Sequence, residues 1–259
     1  MIHSFDFGLN WKSFSEDKLD AIRIDRAIQS LKNLLGCETL QDRNFMDVGC
    51  GSGVFSIAAS NLGAAFVIGV DVNPRCITVC ESNRNRLLRN GNIAYRQLSA
   101  LDEAKMRSLG LFDVVYAWGS LHHTGAMWDA IRITAQQVCP EGMFVLAIYN
   151  KHWTSPIWER IKWFYNRIPQ FGQRLMTIFF AVIIYVAKFL VTRHNPLNKE
   201  RGMDFWYDVI DWIGGYPYEY ATPSEVENFV TPLGFELKRF ISAQVPTGCN
   251  EFVFTRKIL

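Results

Sequence analysis

The stretch that decides the fold is Asp47-Val48-Gly49-Cys50-Gly51-Ser52-Gly53, which lies between a short apolar run and a helical stretch. Glycine lacks a Cβ, so a turn that contains three glycines lets the backbone lie directly against a ligand. The helix that follows presents free N–H groups and a partial positive charge at its first turn. The stretch therefore predicts a tight turn from a strand into a helix, suited to holding an anionic group of a ligand.

Short apolar runs alternate with helical stretches on both sides of this turn. Runs predicted as strands lie at 44–48, 66–70, 93–97, 112–116, 143–149, 235–241 and 250–256. Stretches predicted as helices lie at 17–35, 53–62, 74–89, 103–109, 125–138 and 223–231. The last helix opens with Thr222-Pro223-Ser224-Glu225, which has the form of a capping box with proline at the first helical position. This alternation predicts an α/β fold with a mostly parallel sheet and helices on both faces.

The composition limits the classes of protein to which the chain can belong. Of its 259 residues, 49% are hydrophobic and 20% are charged, which supplies enough apolar material for a buried core. The formal net charge of +2 argues against a strongly basic nucleic-acid binder. The six cysteines are too few for a disulfide scaffold, and the lack of a CxxC pair and of clustered histidines predicts no metal site. The first ten residues lack the pattern of a secretory signal, so we expect a cytoplasmic protein.

Basic charge is concentrated in the segment 151–200, which follows the fifth predicted strand and is predicted to be a helical insertion. It holds eight basic and two acidic residues, a net charge of +6, whereas the rest of the chain carries −4. Its most apolar part, Leu175–Ala187, has thirteen uncharged residues that span about 20 Å as a helix. Since the hydrocarbon core of a bilayer is ~30 Å thick, this part predicts no transmembrane helix. Two alternatives stay open for 151–193: a lid or peripheral membrane contact, and a cap or homodimer surface.

A second functional signal lies at the end of the second predicted strand. Asp71 follows Gly49 by 22 residues, and an acid at this position can accept hydrogen bonds from both ribose hydroxyls of a nucleoside cofactor. The glycine order is GxGxG with an acid two residues ahead of it, which differs from the GxGxxG fingerprint of dinucleotide-binding proteins. The loop, the acid and the strand context together predict a nucleoside-type cofactor.

These residues resemble the motifs of the class I S-adenosylmethionine-dependent methyltransferases. The glycine turn resembles motif I of that family, and the stretches 70–74, 97–102 and 112–123 resemble the next three motifs in order. The resemblance covers about residues 40–150 and, among subfamilies, is similar to the ubiquinone-biosynthesis-type methylases. It implies a Rossmann-like fold with a seven-stranded sheet, in which the whole chain, 1–259, forms a single methyltransferase domain.

The resemblance also implies that the cofactor is S-adenosylmethionine, with S-adenosylhomocysteine as the product. The residues implied in cofactor binding are Asp47, Gly49, Cys50, Gly51, Gly53, Asp71, Val72, Ser99, Ala100 and Trp118. Asp47 and the glycine turn would face the methionine half of the cofactor. Asp71 would hold the ribose, and Val72 would pack on the adenine. The family's adenine-contacting Asp falls at Ser99, a weaker acceptor, and Asp102 could substitute for it.

The fourth motif ends in His122 and His123, which we predict as the catalytic residues because a histidine pKa suits proton transfer at neutral pH. A base would assist a phenol or alcohol nucleophile, whereas a thiol or an amine needs none. The residues predicted to shape the substrate site are Trp11, Tyr149, Arg201, Tyr218 and Glu219. By the same resemblance, Phe5 and Phe7 would close over the cofactor together with Trp11.

The predicted function is transfer of a methyl group to a small, lipophilic or aromatic acceptor, with oxygen as the first expectation for the accepting atom. Nucleic-acid acceptors are not expected, because residues 117–120 read AWGS and not the Asn/Asp-Pro-Pro-Tyr/Phe signature of nucleic-acid N-methylases. Three alternatives stay open. They are N- or S-methylation of a water-soluble small molecule, a non-catalytic cofactor-binding module, and a nicotinamide dehydrogenase.

Overall fold

The computed structural model describes residues 5–88, 91–197 and 204–258, and within them the chain forms a seven-stranded sheet. The strands are β1 (Asn44–Val48), β2 (Phe66–Asp71), β3 (Ile93–Gln97), β4 (Phe112–Trp118), β5 (Val138–Tyr149), β6 (Phe235–Ile241) and β7 (Cys249–Arg256). Their order across the sheet is β3-β2-β1-β4-β5-β7-β6. Strands β1 to β5 run parallel, and β7 lies antiparallel to both β5 and β6. The predicted fold class is confirmed.

Helices cover both faces of the sheet. They are α1 (Phe7–Asp17), α2 (Ala21–Leu35), α3 (Val54–Asn61), α4 (Pro74–Leu87), α5 (Glu103–Arg107), α6 (Met127–Ala135), α7 (Ser155–Tyr165), α8 (Gln170–Thr192), α9 (Phe205–Gly214) and α10 (Pro223–Val230). The capping box at the start of α10 is confirmed, since the Thr222 hydroxyl accepts from the Glu225 N–H and the Glu225 carboxylate accepts from the Thr222 N–H.

Two helices differ from the sequence prediction. The helix expected over 17–35 begins later, at Ala21, because the Asp20 carboxylate caps α2 by accepting from the Arg23 N–H, and Asp17 instead ends α1. Helix α9 was not predicted, because Gly214, Gly215 and Pro217 indicated fixed turns in this segment, although the apolar residues of the helix do follow a helical period. Both α1 and α9 lie over the functional end of the sheet, as described below.

The central strands are buried on both faces, which explains their near-continuous apolar sequences. Successive residues of β1 point to opposite sides, so Phe45 joins the core beneath α2 and α3 and Met46 joins the core beneath α6 and α10. Both side chains are fully buried. The register places Val48 of β1 opposite Val70 of β2, so the glycine turn after β1 lies beside Asp71 at the end of β2.

The predicted insertion after β5 begins with α7 and α8. Among the described residues, one helix is long and apolar enough to cross a membrane by length and composition alone, and it covers Gln170–Val191. Its 22 residues span roughly 33 Å. The helix is longer than the thirteen uncharged residues of Leu175–Ala187 predict, because Arg174 and Lys188 lie inside it and do not end it.

Candidate functional site

The glycine turn joins β1 to α3 in a conformation that only glycine adopts freely. Gly49, Gly51 and Gly53 all have positive φ angles, of 74°, 57° and 76°. A Cβ on Gly49 would lie 2.3 Å from the Cβ of Ser120, and one on Gly53 would lie 2.7 Å from the hydroxyl of Tyr95. The turn therefore needs glycine both for its backbone angles and for its close approach to the neighbouring elements.

Asp71 connects the end of β2 to this turn. One carboxylate oxygen accepts a hydrogen bond from the Gly51 N–H at 3.1 Å, and the other accepts from the Asn73 N–H at 2.8 Å. Burial raises the pKa of the Asp71 carboxyl, and the two backbone hydrogen bonds oppose that rise. Each oxygen can accept a further hydrogen bond, so the carboxylate is held in place and still able to receive ligand hydroxyls.

Asp47 is a buried acid beneath the turn. The Ser56 hydroxyl donates to its carboxylate at 2.7 Å. Burial raises the pKa of the Asp47 carboxyl to about 7, and the nearby Asp71 adds to the rise. A buried carboxyl of this kind is stabilised in its charged form by a cation placed beside it, such as the ammonium group of an amino-acid ligand.

A cavity of about 2170 Å³ runs along the carboxyl ends of β1, β2 and β4, on both sides of the point where the strand order reverses. Its walls include eight of the ten residues predicted to bind the cofactor: Asp47, Gly49, Cys50, Asp71, Val72, Ser99, Ala100 and Trp118. Gly51 and Gly53 lie behind this wall, where Gly51 contacts the ring of Trp11. Leu101 lines the cavity, and Asp102 instead caps α5 by accepting from the Lys105 N–H.

Helix α1 closes one side of the cavity. Phe5, Phe7 and Trp11 all line it, as the resemblance implied. The segment is anchored beside Asp71, since Asp6 forms an ion pair with Arg75 and accepts from the Asn73 side chain at 2.9 Å. The N-terminal segment therefore packs directly over the glycine turn.

The two predicted catalytic histidines differ in their surroundings. His122 is fully buried, and neither ring nitrogen forms a hydrogen bond of ordinary length and angle. Both histidines line the cavity, and the Nδ1 of His123 lies 2.7 Å from the Pro217 carbonyl oxygen. Because a carbonyl oxygen can only accept, Nδ1 carries the proton and the neutral ring presents Nε2 as an acceptor.

Both histidine pKa values differ from the near-neutral value expected from the sequence. Burial lowers the pKa of His122 well below its usual range, and the neighbouring His123 and Lys162 add to this effect. Burial lowers the pKa of His123 to about 3, and Lys162 again contributes. Both rings are therefore neutral at physiological pH. The local sequence could not indicate this, because the burial comes from tertiary packing.

Lys162 of α7 is a fully buried basic residue, which the sequence does not indicate. Its ammonium group donates to the Trp212 carbonyl oxygen and lies 4.7 Å from the ring centroid of Tyr218 and 5.3 Å from that of Tyr149. Burial lowers the pKa of Lys162 to about 7, and the nearby Asp211 opposes that change. The sequence gives no signal for this burial, since a lysine in an amphipathic helix is usually exposed.

The residues predicted to shape the substrate site are only partly brought together. Trp11 and Tyr149 line the cavity, and Tyr218 packs behind Tyr149 with 5.0 Å between the ring centroids. Glu219 points away from the cavity lining, and both its carboxylate oxygens accept from the Met127 N–H, at 3.0 and 3.1 Å, at the start of α6. Arg201 lies outside the described residues. Within the described ranges, no group of three or more His, Cys, Asp or Glu side chains could hold a metal ion.

Comparison with known proteins supports the interpretation of the motifs. Residues 26–144 match the family model of ribosomal protein L11 methyltransferase (PrmA). The chain is 36% identical over 107 residues to the tRNA U34 carboxymethyltransferase of Actinobacillus succinogenes. It is 42% identical over 108 residues to the ribosomal protein L11 methyltransferase of Pasteurella multocida. These two matches cover 41% and 42% of this chain but only 32% and 34% of the relatives, about a third of their length.

Solved structures extend the likeness over nearly the whole chain. The magnesium protoporphyrin IX methyltransferase of Synechocystis PCC 6803, crystallised with bound S-adenosylmethionine, superposes with a TM-score of 0.57 at 13% identity, covering 96% of this chain and 90% of that one. The N-methyltransferase NodS of Bradyrhizobium japonicum WM9 gives a TM-score of 0.53 at 14% identity, covering 93% and 100%. At such identities the likeness shows the fold alone.

Proposed function

We propose that this chain, which has the fold and the sequence motifs of the class I S-adenosylmethionine-dependent methyltransferases, is an active member of that class that methylates a lipophilic or aromatic acceptor. The observation that carries the proposal is a continuous cavity that contains the glycine turn, Asp71 and the aromatic cluster around His123. A cofactor held at the glycine turn and Asp71 would place its reactive end toward the aromatic cluster around His123. Membership of the ubiquinone-type subgroup stays a prediction.

The residues of the cavity fit S-adenosylmethionine well. The Asp47 carboxylate suits the ammonium group of the methionine half, and the backbone of the glycine turn suits its carboxylate. The Asp71 carboxylate, fixed by Gly51 and Asn73, is suited to the ribose hydroxyls. When bound, the cofactor supplies an electrophilic methyl group, and the protein's main contribution is to align a nucleophile with it.

Cavity size and wall chemistry favour an acceptor that enters beside the cofactor. Ligand pockets usually measure roughly 300–1,000 Å³, so about 2170 Å³ leaves room for a second molecule. The part of the wall beyond the cofactor residues is rich in aromatic rings: Phe7, Tyr149, Trp212 and Tyr216. Aromatic walls bind flat or lipophilic molecules through apolar area and ring contacts. The neutral Nε2 of His123 can accept a hydrogen bond from an acceptor hydroxyl and so orient its oxygen, which is why oxygen remains our first choice for the accepting atom.

The relatives favour a different acceptor class, a macromolecule, because their names refer to a ribosomal protein and to a tRNA. Our expectation that nucleic acid is not a partner has no support from those names. The charge of the cavity wall nevertheless argues against a polyanion. Burial raises the pKa of Asp47 to about 7 and that of Asp211 to about 8, so neither counts as a full charge at neutral pH. The wall still carries five other acids, Asp6, Asp25, Asp71, Asp208 and Glu251, against two strong bases, Arg26 and Lys188. A methylated protein side chain or a tRNA nucleotide is the second candidate acceptor.

The test is transfer of labelled methyl from S-adenosylmethionine into a cell extract, followed by separation into organic, aqueous and acid-precipitable fractions. We expect label in the organic fraction, and none with an Asp71→Ala variant that has lost the ribose acceptor. Label in the precipitate that ribonuclease or protease releases would replace the proposal by a macromolecular acceptor. Label in small aqueous molecules would instead favour N- or S-methylation of a soluble compound.

A cytoplasmic location is part of the proposal. All six cysteines lie in the described residues, and none of them forms a disulfide. This is the usual state of thiols in a reducing compartment. Cell fractionation with an antibody to the chain would test the location directly, with recovery from the periplasm or an equivalent oxidising compartment as the result against it.

A further inference from the structure

We infer that the exposed face of α8 docks on the surface of an anionic lipid bilayer, with the helix lying in the plane of the membrane. The inference rests on one stripe of large apolar side chains: Phe171, Leu175, Ile178, Val182, Val186 and Phe189. Each of these side chains is between 44% and 73% exposed. They follow one another at helical spacing over five turns, so they form a continuous apolar face, called the exposed stripe below.

The opposite side of α8 is attached to the body of the protein along its whole length. Near its start, the Gln173 side chain donates to the Tyr165 carbonyl oxygen at 3.0 Å. In the middle, Ala181 and Ile184 are buried against α9. Near its end, the Lys188 ammonium group lies 4.9 Å from the ring centroid of Trp212. A helix fixed at its start, middle and end presents the exposed stripe outward as a rigid apolar ridge.

The attachment of α8 to the protein favours a helix that lies on the membrane surface over one that crosses the bilayer. A helix that crossed the bilayer would have to leave α7 and α9 and expose the buried residues of that cluster. It would also carry Arg174 and Lys188 into the hydrocarbon core, which is costly for charged groups. A helix that lies in the interface keeps all of its protein contacts and buries only the exposed stripe, about 5–10 Å deep.

Charge identifies the partner as an anionic surface. Between residues 151 and 197 the chain has seven basic residues and a single acid, Glu159. Arg174 within α8, Arg193 at its end and Arg167 shortly before its start are all exposed. Arg167 also lies 3.8 Å from the ring centroid of Trp163, and aromatic rings beside basic groups are typical of the headgroup layer.

The same charge argues against a second copy of this chain as the occupant. A symmetric dimer through the exposed stripe would bring the exposed arginines of the two copies, among them Arg167 and Arg174, close to one another. Like charges opposed in this way repel each other. An anionic bilayer instead neutralises the same residues, so it satisfies both the apolar and the basic parts of the surface.

The docking surface also borders the cavity. Lys188 of α8 lines the cavity wall, as do His194 and Pro196 in the segment that follows the helix. A bilayer seated on the exposed stripe would therefore lie beside one end of the cavity. This last step rests on the proposed function, since it gives a lipophilic acceptor a short path from the membrane to the site.

The experiment is flotation of the purified protein with vesicles of pure phosphatidylcholine and with vesicles that contain 30% phosphatidylglycerol. We expect the protein to float with the anionic vesicles, and roughly fivefold weaker binding for each of Arg167→Gln and Arg174→Gln. Val182→Asp/Val186→Asp should reduce binding by about tenfold or more, because it places two carboxylates in the stripe. Leu111→Asp/Ile258→Asp, which changes two equally exposed apolar residues far from α8, is the matched control and should float like the parent.

Three results would overturn the inference. The parent protein could fail to float with anionic vesicles. The stripe variant could float as well as its control. Extraction of cell membranes with alkaline carbonate could leave the protein in the pellet, which would mean that α8 spans the bilayer. S-adenosylhomocysteine binding is measured on the parent protein and on every variant. Failure of the parent to float, with this binding intact, would refute docking alone and leave the proposed enzyme function untouched.

Discussion

The Asp71 carboxylate accepts a hydrogen bond from the Gly51 backbone N–H at 3.1 Å, so the acid that ends β2 and the turn that follows β1 form one unit. A ligand that binds one of them is positioned by the other. The ring of Trp11 closes this unit from the N-terminal side, where a Cβ on Gly51 would lie 2.9 Å from it.

A Gly51→Ala variant should therefore lose cofactor affinity. Alanine at this position must keep a positive φ, which costs roughly 1–2 kcal/mol. Its Cβ would also displace Trp11 or the turn. We expect S-adenosylhomocysteine to bind roughly tenfold or more weakly, corresponding to about 1.4 kcal/mol. Gly110→Ala is the matched control, because Gly110 also has a positive φ but nothing lies within 4 Å of an added Cβ. If calorimetry gave equal S-adenosylhomocysteine affinities for Gly51→Ala and Gly110→Ala, backbone strain alone, and not the position of Gly51 beside the site, would explain the loss of affinity.

Asp47 should release a proton when the cofactor binds. Burial holds its pKa at about 7 in the free protein, so the carboxyl is partly protonated at neutral pH. A ligand ammonium beside it favours the charged form and lowers that pKa. Calorimetric titrations near pH 7, in buffers with different heats of ionisation, should show net proton release. Asp47→Asn, which keeps the shape without the titration, should abolish the release, and an unchanged release in this variant would place its source elsewhere.

His123 should act in the chemical step and not in cofactor binding. We expect His123→Ala to slow methyl transfer by roughly 10²-fold, because the acceptor hydroxyl loses the ring that orients it, while S-adenosylhomocysteine binds as before. His123→Asn separates the two roles of the ring, since an amide nitrogen can still donate to the Pro217 carbonyl oxygen but cannot accept the hydrogen bond of the acceptor hydroxyl. If His123→Asn restores most of the activity, the residue only positions the Pro217 segment. Because the pKa of His123 is held at about 3, its titration should cause no change in rate between pH 6 and 9.

Lys162 should make stability depend on pH above neutrality. The pKa of its ammonium group is about 7 in the folded protein and ordinarily 10.5, so between these values the unfolded chain binds more protons than the folded one. The contribution of Lys162 to the free energy of unfolding therefore rises with pH across this window, and Asp211, whose pKa burial raises to about 8, opposes the rise below pH 8. Lys162→Met should flatten that rise in urea titrations at pH 7 and pH 9. Lys18→Met, at an exposed lysine that ends α1, should keep the parent's slope, and an equally steep Lys162→Met curve would contradict the assignment.

The sequence was sufficient for the parts of the fold that follow from local patterns. The predicted strand 44–48 matches β1 residue for residue, because a central strand buried on both faces is a short and mostly apolar run, interrupted here by the functional acid Asp47. The start of α10 could also be predicted, since its capping box is formed by two residues only three positions apart, Thr222 and Glu225. The glycine turn and Asp71 were found because their chemistry requires fixed residue types at fixed spacing.

Other features depend on partners that are distant in sequence. Glu219 was predicted to face substrate, and it caps α6 instead through Met127, which lies 92 residues away. Burial of Lys162 depends on Trp212 of α9, a helix that the pattern did not predict. The low pKa values of the histidines have the same origin. Tertiary packing, which no local pattern encodes, therefore sets the pKa values of the groups on the side of the cavity where we expect the acceptor to bind.

The most direct test of the central claim is calorimetric binding of S-adenosylhomocysteine to the purified protein, with NAD as the competing nucleoside ligand. The account predicts one molecule of S-adenosylhomocysteine bound per chain, no binding of NAD, and loss of binding in Asp71→Ala with the fold intact by circular dichroism. Binding of NAD, or failure of S-adenosylhomocysteine to bind at millimolar concentration, would contradict it.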